Sequence, residues 1–178
     1  MTDTVSRNTA APGEEPTIVD RFKAAFRNHP AGVAVVTTQG PDGPVGLTAS
    51  SVASVSADPP VLVFSVTTSA GSAGTVLTAP TFVVNLLRSE HVDIAKSFAV
   101  HGSPRFTPEQ GFSTRHSGEP VLSGAAVALW CRPLQTVPVG ASTLIVAEVL
   151  DVELGEPGSP LVYHDRTFHG LGGHTILT

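Results

Sequence analysis

The chain has 178 residues, 41% hydrophobic and only 14% charged, with a formal net charge of -5. That apolar share excludes an intrinsically disordered chain. With Lys+Arg 10 against Asp+Glu 15, it lacks the cation-rich surface that nucleic acid or an anionic bilayer demands.

Residues 1–16 read as a disordered tail, small and polar, with no apolar run that fits a signal peptide. No stretch reaches the ~18 consecutive apolar residues that span a bilayer. The one cysteine, Cys131, cannot form an intrachain disulfide. A cytoplasmic protein is expected, with a single domain over 17–178 and no internal repeat or linker.

Thr17 is placed to cap a helix in which Ile18, Phe22, Ala25 and Phe26 share a face and Asp20 lies at the positive end. Pro30 pushes His29 out of the helical region, so this helix should stop near Asn28. From Gly32 the period changes to that of strands. Residues 33–38 and 45–55 read as an antiparallel pair around the turn at 39–44, and 61–66 follows Asp58-Pro59-Pro60. A polar, small-residue loop at 67–72 leads into a short helix ending near Ala79. A strand at 82–87 and a helix at 90–98 come next. Residues 99–120 form the longest weakly patterned segment, of the kind that often carries function. Long strands at 124–137 and 142–154 and a short one at 161–164 complete the pattern. Many antiparallel strands and few helices predict a mainly β, barrel-like domain.

Several motifs are considered and set aside. His164, His169 and His174 are spaced five apart, which suits neither a helix face nor one side of a strand, so no metal site is expected. There is no Walker A lysine motif, and Gly170 to Gly173 leaves no room for the helix of a Rossmann dinucleotide site. The run from Ala70 to Gly74 nearly matches a hydrolase nucleophile elbow centred on Ser72, with His101 and His116 downstream as bases. What remains is a hydroxyl-rich region: Thr48, Ser50 and Ser51 on the second strand, and Thr67, Thr68, Ser69 and Ser72 after the third. These groups read either as an uncharged anion cradle or as ordinary polar residues on a solvated strand face. With no Lys or Arg nearby in sequence, such a cradle should hold an anion only moderately.

The stretches FRNHPAGV (26–33), GLTASSV (46–52), SVSADPP (54–60), FVVNLL (82–87), GEPVL (118–122) and LVYHDRTF (161–168) resemble the flavin reductase-like, FMN-binding split-barrel family. Phe98-Ala99 and Arg105-Phe106 add to the resemblance, which covers essentially residues 20–171 in order. It implies a six-stranded split barrel of Greek-key type, usually a homodimer. It also implies reduction of FMN or FAD by NADH or NADPH, with reduced flavin supplied to a separate oxygenase. Carried over by position, Thr48, Ala49, Ser50 and Ser51 would line the flavin's phosphate, ribityl chain and ring edge. Ser65, Val66 and Thr67 would contact the ring, and Ser72 would hold the phosphate. Phe98, Arg105 and Phe106 would lie near the pocket, and Arg166 and Phe168 would close over it.

One position departs from the family. Where its members commonly carry Gly-Asp-His, with the His facing the nicotinamide, this chain has Gly140-Ala141-Ser142. No residue is therefore assigned as catalytic, and Ser142 occupies the usual His position. The leading reading is an NAD(P)H:flavin oxidoreductase. A non-catalytic flavin-binding or carrier protein and a serine hydrolase at Ser72 are the alternatives.

Overall fold

The computed structural model describes residues 15–67 and 71–176. The expected tail lies outside the described residues as far as residue 14, as do Thr68 and Ser69. Helix α1 (Ile18–Arg27) begins as its sequence requires. Thr17 Oγ1 accepts from the Asp20 N–H at 3.1 Å, and the Asp20 carboxylate accepts from the Thr17 N–H, a reciprocal capping box. The helix ends at Asn28. Its apolar face, however, is not buried: Phe22 and Phe26 remain 61% and 60% exposed.

The strands run in chain order as β1 (Ala31–Gly32), β2 (Ala34–Gly40), β3 (Gly43–Ala49), β4 (Ala53–Ala57), β5 (Pro60–Thr67) and β6 (Phe82–Leu86). They continue as β7 (Phe112–Thr114), β8 (Pro120–Leu122), β9 (Val127–Val139), β10 (Ser142–Leu154), β11 (Leu161–His164) and β12 (Thr167–Gly170). Helix α2 (Ser72–Thr78) lies between β5 and β6, and α3 (Val92–Ala99) follows β6. The main sheet is ordered β3-β2-β6-β9-β10-β5-β4. Its edge strands β3 and β4 are joined by only three residues, so the sheet must curl until its two edges meet. That is a barrel, closed at the corner formed by Ser50, Ser51 and Val52.

The main sheet has seven strands rather than six because the segment expected as one strand at 45–55 breaks at this corner into β3 and β4. Smaller sheets, β1-β11-β12 and β7-β8, pack outside it. The segment 99–120, weakly patterned in sequence, contains β7 and the start of β8.

Inside the barrel, Val36, Phe64, Phe82, Val84, Cys131 and Ile145 are fully buried. A second cluster lies between the barrel wall and α3, with Val35, Phe98, Leu122 and Leu161 at its centre. β2 is therefore covered on both sides, and Ala34 to Thr38 are buried without alternation. Burial of each such side chain is worth ~1.5–3 kcal/mol. Phe98, Phe106 and Phe112 stack at centroid distances of 5.0–5.5 Å. Gly46 lets that cluster approach β3, because a Cβ there would lie 2.7 Å from the Phe98 ring.

Candidate functional site

β4 pairs with β5 as far as Ala53 opposite Val63. The Ser51 hydroxyl supplies the next rung: it accepts from the Ser65 N–H at 2.9 Å and donates to the Ser65 carbonyl at 3.2 Å. Ser51 therefore closes the barrel corner, and its hydroxyl is held by backbone instead of pointing freely at a ligand. Ser50 beside it is exposed.

Along β5, Phe64 and Val66 point into the core while Ser65 and Thr67 face outward. β10 places Leu144 opposite Ser65 and Ser142 opposite Thr67. Ser51, Ser65, Thr67 and Ser142 thus form one outward polar row across three elements. Gly140 carries the two-residue turn before Ser142 with φ +58°, a conformation that favours glycine.

Three expected site residues point elsewhere. Ala49, Val66 and Phe98 are 5%, 4% and 2% exposed, with side chains in the core, because alternation on β3 and β5 and the inner face of α3 turn them inward. Only the backbone of Ala49 and Val66 can reach a ligand. Thr48 lies beneath α3, donating from Oγ1 to the Ala95 carbonyl at 2.7 Å. Phe106, at φ +57°, is half-buried in the aromatic cluster.

Ser72 and Arg105 meet. Arg105 Nη1 donates to Ser72 Oγ and to the Gly46 carbonyl, both at 2.9 Å. Nη2 donates to the Val100 carbonyl at 2.9 Å, Nε to Ser97 at 3.3 Å, and the guanidinium lies 5.5 Å from the Phe98 ring centroid. The cradle that looked uncharged in sequence therefore has a cation at its edge, brought from a distant loop. A guanidinium donates and cannot take a proton. Among the described residues Ser72 Oγ therefore meets a donor and not the general base that a hydrolase needs.

The hairpin of β11 and β12 turns through Asp165 and Arg166, at φ +42° and +62°. Both central residues are left-handed, as a type I′ turn requires, at a strain of about 1–3 kcal/mol each for non-glycine residues. The Asp165 N–H donates to the Arg27 carbonyl at 2.9 Å, tying the turn to the end of α1. Phe168 packs on Tyr163 at 4.9 Å. Between α1, the Ser50–Ser51 corner and this turn runs a groove of about 800 Å³, lined by Phe22, Lys23, Phe26, Arg27 and Arg166 among others. Sequence reading placed only Ser50, Ser51 and Arg166 near a site. The i,i+4 pairs Phe22/Phe26 and Lys23/Arg27 were the available signal for the rest. Among the described residues no three His, Cys, Asp or Glu gather as a metal group, and no helix is long and apolar enough to cross a membrane.

The family model described as flavin reductase like domain matches residues 26–172. The chain belongs to this family. It is 36% identical over 152 residues to an NADH:FMN oxidoreductase of Rhodococcus qingshengii, covering 83% of this chain and 79% of that protein. It is 32% identical to the reductase component of a 4-hydroxyphenylacetate 3-monooxygenase from Pseudomonas aeruginosa, over 84% of this chain and 90% of the relative. Its fold matches the Streptomyces globisporus NADH:FAD oxidoreductase solved with NAD and FAD fragments, at a TM-score of 0.82 and 26% identity, over 93% of this chain and 100% of that one.

The donor set suits a phosphorylated flavin. Ser72 Oγ accepts from Arg105, which leaves its own O–H to donate to an anion. The outward hydroxyls of Ser65, Thr67 and Ser142 offer donors to a polar ring edge.

Proposed function

We propose that this chain is an NAD(P)H:flavin oxidoreductase that reduces FMN or FAD and releases it to a separate monooxygenase. What carries the reading is the pairing of two features on one barrel wall: the Ser72–Arg105 contact, fit for a phosphate, and the outward hydroxyl row ending at Ser142. The hydride chemistry is supplied by the flavin and nicotinamide rings themselves. The chain's residues bind and orient. Ser72, backed by Arg105, holds the phosphate. The backbone of β3 near Ala49 and Ser50 and the hydroxyls of Ser65 and Thr67 fix the ring edge, where hydrogen-bond donors favour developing negative charge. Ser142 stands at the position of the family's imidazole with a group that does not titrate near neutral pH.

The test is steady-state oxidation of NADH and NADPH by the purified chain, with and without added FMN or FAD. Saturable, flavin-dependent turnover is the expected result. Quenching of flavin fluorescence without any turnover would instead establish the carrier reading.

We further propose that residues 17–178 act as one cytoplasmic domain and that two copies pair. Support for pairing comes from the exposed apolar side chains Val55, Leu150, Val152 and Leu154, beside an apolar hollow of about 510 Å³ lined by Val52, Val149 and Val152. Light scattering on the eluted protein should give twice the 18.3 kDa chain mass.

A further inference from the structure

The α1 groove adjoins the barrel wall at Ser50 and Ser51 and carries anion-binding groups of its own, apart from the Ser72–Arg105 contact. Ser72 and Arg105 meet β3 at its middle residue, Gly46, whereas the groove opens past the strand's end, at Ser50 and Ser51. At ~3.3 Å per residue, Gly46 and that corner are about 15 Å apart. The groove has its own chemistry. Lys23 and Arg27 are one helical turn apart on α1, and Arg166 of the β11–β12 turn lines the same groove. None of the three makes an ion pair within 4.0 Å among the described residues. The nearest acid in the lining is Asp165, whose backbone N–H fixes the turn to Arg27. Phe22 and Phe26, with ring centroids 4.7 Å apart, stand exposed on the same wall.

Unpaired cations beside exposed aromatic rings suit a ligand that combines phosphates with a stacking base. We propose that this groove binds the adenosine-phosphate half of the nicotinamide dinucleotide, with Arg27 and Arg166 as its phosphate ligands, and that it favours the form carrying the additional 2′-phosphate. This rests on the reductase reading above. Arg166 is thereby a dinucleotide residue and leaves flavin binding to the barrel wall. Its left-handed backbone sets where the side chain leaves a turn that is braced on α1 through the Asp165 N–H.

The decisive variants are Arg166→Gly, which suits the φ of +62° and so keeps the hairpin, and Arg27→Gln, which preserves the helix. Each should raise the KM for NADPH about tenfold, the scale of one charged hydrogen bond, and the KM for NADH less. The Kd for FMN, read by flavin fluorescence, should stay within about twofold on the same scale. A rise in the FMN Kd with unchanged dinucleotide KM, or no change in either, overturns the proposal. A direct titration separates its failure from failure of the reductase reading. Calorimetry on the wild-type chain should show adenosine 2′,5′-bisphosphate binding more tightly than adenosine 5′-phosphate, whether or not turnover is seen. Equal or absent binding of the two sinks the groove assignment alone.

Discussion

Four oxygens receive the Arg105 guanidinium, three of them backbone carbonyls and one the Ser72 hydroxyl. The side chain locks the loop after α3 onto β3 while orienting the first residue of α2. Hydrogen bonds involving a charged partner contribute ~1.5–3 kcal/mol, so its loss is felt at both places. Arg105→Ala should weaken FMN binding by about tenfold or more, whereas riboflavin, which has no phosphate, should lose much less. Arg105→Lys restores the charge but not the fork and should recover part of the difference. Fluorescence titration of both flavins checks this, and equal losses for the two would reduce Arg105 to a structural clamp.

The corner between β3 and β4 shows the same economy in an element. Two edge strands of one sheet can be joined by three residues only if something replaces the missing ladder, and the Ser51 hydroxyl does so against Ser65. Ser51→Ala removes both bonds and should cost about 1–3 kcal/mol, read as a lower midpoint in urea unfolding. Flavin affinity should fall with it, because Ser65 carries the adjacent outward hydroxyl. On β3 itself, Gly46 allows α3 to dock through Phe98. A methyl group at 2.7 Å from that ring and 3.0 Å from the Val36 carbonyl cannot be accommodated without moving the helix. Gly46→Ala should cost about 1–3 kcal/mol and disturb the Arg105 contact to the Gly46 carbonyl. A lowered thermal midpoint together with weaker FMN binding is the expected outcome.

Across the whole molecule, Glu119 joins parts of the chain remote in sequence. It is 2% exposed, and its carboxylate accepts from Thr81, Ser117 and the Trp130 indole. Burial pushes its pKa up, but the hydrogen bonds from Ser117, Thr81, its own backbone and Trp130 together hold it below the ordinary carboxylate value. A depressed folded-state pKa means the unfolded chain binds the proton more readily. Its stabilisation is therefore complete above the unfolded pKa and is lost as the pH falls through the folded one. Thermal midpoints should decline below about pH 4.5. Glu119→Gln should lower the neutral-pH midpoint and flatten that acid limb. The Cys131 thiol, pushed up to about 12 by burial, should resist alkylation until the barrel unfolds globally.

Local chemistry alone determined a good deal of this protein. The capping pair Thr17 and Asp20, the stop at Asn28, the bounds of β10 and β11, and the mainly β class all follow from propensity and periodicity over a few residues. The linked motifs from residue 26 onward also identified the family. Which hydroxyls face a ligand was only half legible: alternation could have turned Ala49 and Val66 inward, but the burial of Phe98 depends on where α3 lands. The break at Ser50–Val52 was invisible because it is stabilised by Ser65, fourteen residues away, and not by a turn residue. The same reason hid the cation beside Ser72 and the basic groove under α1. Charges placed by Arg105 and Arg166 come from loops whose positions are set by what they pack against. Only the closed barrel brought those loops to the wall that the hydroxyls occupy.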